Sequence, residues 1–445
     1  MSVLATPPSA AGPLESGKRL QLAFAVISME GPDQYSQAGG LGVRVAQLSR
    51  ALAAQGYPVT LFFVGDPSLP ERELADGVEL RRLAQEVSRH FPRGIYDGED
   101  VKRDHLAATF PPELVRDWVV PAMKAGSTPV LLFEEWHTAG WVRTVSDLLW
   151  RLGVRDRCLL AWNANNQFGF EVVDWRALAY TASVTTVSRY MRVLVQARGV
   201  DPLVIPNGIP ASALSRPDPA AVKRLRRAAA GRATVLKIGR FHPDKRWQQA
   251  IHALAELRRA GRPVRMLARG GGEAYGQQLM SEARGLGLKV SRWSDPIHDA
   301  RDLASALDVH RDSDLIELAT FLPEQLLPEM YAFSLAVLAN SGFEPFGLVG
   351  LETMAAGGVA VVGATGEDYA RHLHNCLVVQ TDDPTELAGV VAWLQEQPGL
   401  GATIRRQGRA TAATYTWDEV IGSDLLPLLP LMARRQMARW PEPSS

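Results

Sequence analysis

The chain has 445 residues, Lys+Arg and Asp+Glu balanced at 48 each, and 46% hydrophobic against 22% charged residues. That length calls for two or three domains with their own cores, and the balance excludes a disordered or fibrous chain. A formal charge of zero gives no sign of a surface built to coat duplex nucleic acid or an acidic membrane, so no nucleic-acid partner is expected, while a local basic site stays possible.

Residues 1–19 read as a mobile tail, because they lack the basic region and unbroken apolar stretch of a secretory signal. Strand and helix signals then alternate, the pattern of a parallel sheet covered on both faces. LAFAVIS (22–28) reads as the first strand. A loop ending in AGGLG leads into VRVAQLSRALAAQG, where Val45, Leu48, Leu52 and Ala53 recur at helical spacing and Gly56 supplies the stop. Further strands are expected at 58–65, 129–135, 158–165 and 183–188, with 201–210 closing the first half. A second series begins at ATVLKIGR (233–240) and continues at 263–270, 288–293, 315–322, 335–340 and 358–365. The expected fold is therefore α/β, with two doubly wound Rossmann-like halves joined near residue 210 and a cleft where the carboxyl ends of their sheets face each other.

No run of 18 apolar residues lacks a charge; the nearest, 348–364, contains Glu352, so no membrane span is expected. Cys158 and Cys376 have no CxxC or Cys/His spacing, which leaves a zinc site or disulfide framework without support and fits a reducing cytoplasm. The end of the chain mixes apolar residues with Arg434, Arg435 and Arg439, and Pro427 and Pro430 interrupt any helix there. It is expected to pack back on the first domain, with contact to a membrane surface left open.

Four stretches carry candidate chemistry. QAGGLG (37–42) places Gly39, Gly40 and Gly42 between a strand and a helix N-terminus, where backbone N–H groups and the helix dipole favour an anion. About ten residues separate it from the strand, and Val45 stands where a dinucleotide fingerprint needs its third glycine, which argues against hydride transfer. GRFHPDK (239–245) puts Arg240 and Lys245 on a strand-end loop, able to grip a diphosphate from two sides. EEWHTA (134–139) brings His137 to another strand end. SGFEPFGLVGLETMAAGG (341–358) places Glu344 after a strand and Glu352 in a helical run among Leu351, Met354 and Ala355, a carboxylate whose charge needs a partner or a cleft.

In these motifs the chain resembles the retaining GT-B glycosyltransferases of family 4, the group related to glycogen and starch synthases. Glu344 and Glu352 match the E-x7-E signature, Arg240 and Lys245 the diphosphate-holding pair, and Gly39, Gly40 and Gly42 the N-terminal glycine loop. VSRYM (187–191), VIPNGIP (204–210) with Asn207, and YTW (415–417) also resemble family segments. The likeness runs from residue 22 to about 420. It implies an acceptor domain at 20–208, a nucleotide-sugar domain at 209–415 and a C-terminal segment at 416–445, with hinges near 207–220 and 412–420 for closure over the donor.

It also implies transfer of a hexose from a nucleoside diphosphate sugar to a small-molecule or saccharide acceptor hydroxyl with retention, no metal and no resident cofactor. His137, Glu344, Arg240 and Lys245 would form the catalytic set. Gly39, Gly40, Gly42, Asn207, Phe346, Gly347, Leu348 and Glu352 would bind substrate and donor, Glu344 orienting sugar hydroxyls and Glu352 the ribose. The departures are the missing lysine before the glycine loop, where Gln37 stands, and Phe346 in place of a cysteine; they turn the expectation away from glucan elongation. Asp312-Ser313-Asp314 forms a DxD, but it precedes a strand rather than ending one, which speaks against a metal site. Two rivals remain at this level: a nucleotide-sugar binding protein without turnover, and an epimerase or phosphorylase relative, the last without an identifiable pyridoxal phosphate lysine.

Overall fold

The computed structural model describes residues 21–37, 39–229 and 231–439; the expected tail at 1–19 lies outside them. The first sheet contains β1 (Leu22–Ile27), β2 (Val59–Val64), β3 (Arg72–Ala75), β4 (Val78–Leu83), β5 (Thr128–Glu134), β6 (Leu159–Ala164), β7 (Ser183–Thr186) and β8 (Leu203–Val204). They are ordered β3-β4-β2-β1-β5-β6-β7-β8, parallel throughout except for the β3/β4 pair. The second sheet contains β9 (Ala233–Ile238), β10 (Val264–Arg269), β11 (Val290–Trp293), β12 (Leu315–Leu318), β13 (Ala336–Ala339), β14 (Ala360–Val362) and β15 (Leu377–Val378). Its order is β11-β12-β10-β9-β13-β14-β15, all parallel. Every residue of β1, β2 and β6 is buried, which is why these strands read as unbroken apolar runs rather than alternating ones.

Chain order reverses beside the central strand of each sheet, between β1 and β5 in the first and between β9 and β13 in the second. Open parallel sheets bind ligands outside the carboxyl ends at such points. The loops after β1 and β5 carry the glycine loop and His137, and those after β9 and β13 carry Arg240, Lys245 and Glu344.

Two differences from the sequence reading concern strands. The stretch 72–83 forms a hairpin turned by Asp76 and Gly77, both at positive φ, the two-residue turn that Asp-Gly favours. The expected strand at 201–210 shortens to Leu203–Val204, because Pro202, Pro206 and Pro210 withhold ladder donors.

The chain crosses between the halves twice, side by side. Ile209 donates its N–H to the Tyr415 carbonyl and accepts from the Trp417 N–H. Past the second crossing, Trp417, Ile421, Leu425, Leu429 and Met432 pack with Leu22, Phe24, Leu48 and Leu52 of the first half. Gln436 fastens the end of this segment to β6, donating to the Leu160 carbonyl at 2.8 Å and accepting from its N–H at 3.1 Å. Pro427 and Pro430 open short helical pieces rather than breaking a long one, positions where no helical N–H is lost.

Candidate active site

In the first half, Glu30 follows β1 and turns back on the glycine loop. Its Oε2 accepts the N–H groups of Gly39 and Gly42, each at 3.1 Å, and its Oε1 accepts the Tyr96 hydroxyl at 2.6 Å. Two of the amides expected to cradle an external anion are thus held by an internal carboxylate, while Gly39 and Gly40 remain exposed at the helix N-terminus. Gly42 could carry no side chain, since a Cβ would stand 2.8 Å from the Gly31 carbonyl oxygen.

Tyr96 is set in place by Lys102, whose buried ammonium lies 2.7–3.0 Å from the carbonyls of Gly94, Ile95 and Asp97. This lysine closes the loop as a bound cation would. Neither Glu30 nor Lys102 belongs to a motif, and sequence reading missed both.

After β5 the backbone enters a region that side chains rarely adopt. Glu135 sits at φ 67° and ψ 168°, a strained conformation of the kind that clusters at functional sites. Its carboxyl accepts the Asn165 N–H at 3.0 Å; burial, reinforced by the charge of Glu134, pushes its pKa well above the carboxylate range. Next along, His137 is buried, its Nε2 2.7 Å from Glu99 Oε1 and its ring stacked on Trp136 with centroids 4.0 Å apart. Burial lowers its pKa against the pull of Glu99. Nδ1 is buried without a hydrogen-bond partner.

These groups line a cavity of about 850 Å³ together with Glu99, Arg103, Phe168 and, from the second half, Arg240. Arg240 is exposed, and its guanidinium has no partner among the described residues; its carbonyl accepts the Trp247 indole N–H at 2.8 Å. Five residues on, Lys245 Nζ lies 2.6 Å from Glu344 Oε2.

Gly347, at φ 82°, precedes the helix Leu348–Ala355, and a Cβ there would meet the side chains of Glu367, Tyr369 and Glu344 at 2.7–3.4 Å. Glu344, Lys245 and Gly347 therefore cluster at one helix N-terminus. Glu367 completes the cluster: its Oε2 accepts the Thr365 N–H at 3.1 Å, and its Oε1 is buried without a partner. Burial, then the charge of Glu344, pushes its pKa up to about 7. No sequence signal singled it out.

Glu352 is half-buried near Tyr331, whose hydroxyl donates at 3.4 Å; burial raises its pKa to about 7. Beneath the second sheet's switch point, Lys237 donates to the Leu338 carbonyl and Asn340 Oδ1, and burial lowers its pKa to about 7.

Two expected binding residues have their side chains elsewhere. Asn207 is buried in a polar network, accepting from Arg44 and donating to Asn165, while Arg44 also pairs with Glu134 at 3.2 Å. Phe346 is buried against Tyr369 and Tyr415, centroids 5.8 and 6.0 Å away, which leaves only its backbone to meet a ligand. In the DxD, Asp314 is spent on Arg232, Arg258 and the Lys289 N–H at 2.6–3.0 Å. No group of three or more metal-ligating side chains occurs among the described residues, and no helix among them is long and apolar enough to cross a membrane.

Comparison with known proteins agrees with this geometry. Residues 38–213 match the model of Glycosyltransferase Family 4, and residues 232–397 that of Glycosyl transferases group 1. A D-inositol 3-phosphate glycosyltransferase of Acidothermus cellulolyticus is 27% identical, covering 90% of this chain and 88% of its own. Among solved structures, the sucrose-phosphate synthase of Thermosynechococcus elongatus superposes with a TM-score of 0.62 at 20% identity, over 94% of this chain and 99% of its own. Anabaena HepE in complex with UDP gives 0.63 at 16% identity, over 92% and 99%. With glycosyltransferase models matching both halves and GT-B enzymes sharing the two-sheet architecture, the chain belongs to the family 4 glycosyltransferases of GT-B fold.

Proposed function

We propose that the protein moves a hexose from a nucleoside diphosphate sugar to an acceptor hydroxyl, keeps the anomeric configuration and uses no divalent metal or resident cofactor. The observation that carries this reading is the placement of Arg240 from the second half on the same cavity as His137 and the glycine loop from the first. The UDP held by Anabaena HepE supports a nucleoside diphosphate as the leaving group. The curated relatives, named for D-inositol 3-phosphate, support a small acceptor.

As the bond from the sugar's anomeric carbon to the diphosphate breaks, negative charge grows on the departing phosphate. Arg240, Lys245 and the N-terminus of the helix Leu348–Ala355 meet it, the task that a metal performs in other transferases. The acceptor oxygen bonds to the anomeric carbon from the face the phosphate leaves, and the acceptor proton passes to a phosphate oxygen, so no side chain serves as general base. Glu344 holds sugar hydroxyls and keeps Lys245 aimed at the diphosphate. Glu352 takes the ribose hydroxyls, and His137 contacts the donor sugar.

The test is turnover with UDP-, ADP- and GDP-glucose in EDTA, reading nucleoside diphosphate release and the product's anomeric proton coupling. The expected product from an α-linked donor is α-linked, with release insensitive to EDTA. A β-linked product contradicts retention, loss of turnover in EDTA contradicts metal independence, and donor binding without release identifies a binding protein.

A further inference from the structure

The acceptor side of the cavity has a charge pattern of its own. Glu30, Glu99, Asp104 and Glu171 line it, together with Glu135, whose pKa burial pushes well above the carboxylate range, against Arg103 as the only cation the first half contributes among the described lining residues. Arg103 is already committed, 2.9 Å from Asp100 and 3.3 Å from Asp104, with its guanidinium 5.5 Å from the Trp136 ring centre. Arg240 comes from the other half and faces the diphosphate. A phosphate or carboxylate on the acceptor would therefore enter among like charges, with the one first-half cation already shared between two aspartates.

The remaining features suit a neutral ring. Carboxylates accept the hydrogens of hydroxyls, and Phe168 and Val172, 67% and 66% exposed, offer apolar surface to C–H groups.

We propose that the acceptor is a polyhydroxylated ring bearing neither phosphate nor carboxylate. This rests on the glycosyl-transfer reading and departs from the phosphorylated acceptor named for the curated relatives.

The test has two arms, both on protein loaded with its nucleotide. In the first, glucose is compared with glucose 6-phosphate, and myo-inositol with D-inositol 3-phosphate, by nucleoside diphosphate release. The unphosphorylated member of a pair is expected to show at least a ten-fold higher kcat/KM; preference for the phosphorylated member overturns the proposal. In the second, inorganic phosphate is titrated and followed by the intrinsic fluorescence of wild type and Arg103→Ala. Absence of saturation in the millimolar range supports the proposal even if none of the four acceptors reacts, and saturable binding lost in Arg103→Ala overturns it. Failure of the protein to take up any nucleotide or to hydrolyse any donor sinks the glycosyl-transfer reading itself and is seen before either arm begins.

Discussion

Gly169 shows how one missing side chain shapes the site. It sits at φ 70°, and a Cβ would come within 2.2 Å of the Trp136 ring, the ring on which His137 and Arg103 stack. Gly169→Ala is expected to lower stability by about 1–3 kcal/mol, from backbone strain and displaced packing together. Urea unfolding measures this, and an unchanged midpoint would show that the loop yields freely. On the donor side, Arg240→Ala and Lys245→Ala are each expected to weaken nucleoside diphosphate binding by about 1–3 kcal/mol, the range for charge-assisted hydrogen bonds. Unchanged affinity in both removes the pair from the site. Arg240, Lys245, Glu344 and His137 were legible because they follow apolar strands in recognisable loops. Glu30, Lys102 and Glu367 were not, because each acts by folding back on a loop distant in sequence, and nothing local marks it.

The helix Leu348–Ala355 carries a pH-dependent contribution. Glu352 titrates near pH 7 in the folded chain, against an ordinary value of 4.5, so from about 4.5 to about 7 the unfolded state releases a proton that the folded state keeps. Glu352 therefore favours folding fully only below the lower value, and that contribution is lost as pH rises through the upper. Replacing Glu352 with Gln is expected to flatten this part of the stability profile and to raise stability at pH 8 relative to wild type. Chemical denaturation at several pH values checks it, and a parallel profile contradicts the assigned burial. Glu367, with a similar shift, adds a second slope of the same sign, so some dependence remains in the single variant.

Elements with strong local signals, such as β1, β2, β10 and the helix Gly40–Ala54, were legible from apolar runs and helical spacing. The β3/β4 hairpin was written in the sequence too, in Asp76-Gly77, but its first strand is largely exposed and gave no apolar run. At two residues, β15 is too short for periodicity to register, and its pairing is decided by the neighbouring strand.

At the scale of the whole molecule, the two crossings are tied together at Ile209, Tyr415 and Trp417, and Phe346 packs against Tyr415 beside them. The loop that begins the E-x7-E stretch thus touches the place where the halves would swing. Asp368 adds one direct tie, accepting the Arg189 N–H across the cleft at 2.8 Å. Binding of a nucleoside diphosphate between Arg240 and the glycine loop should draw the halves together. Small-angle scattering is expected to show a smaller radius of gyration with nucleotide bound, and an identical profile contradicts closure. The sequence revealed two halves and the cleft between them; it could not reveal that the first half's wall of the cavity is rich in acidic residues, because that wall is assembled from segments scattered between residues 30 and 172.

The central claim is that a nucleoside diphosphate sits between the two sheets, gripped by the second. Calorimetric titration of the purified protein with UDP, ADP and GDP in the absence of metal tests it most directly, repeated on Arg240→Ala. The account predicts saturable binding with a preference for one base, weakened about ten-fold or more in the variant. Binding of none of the three, or binding that Arg240→Ala leaves unchanged, would contradict it.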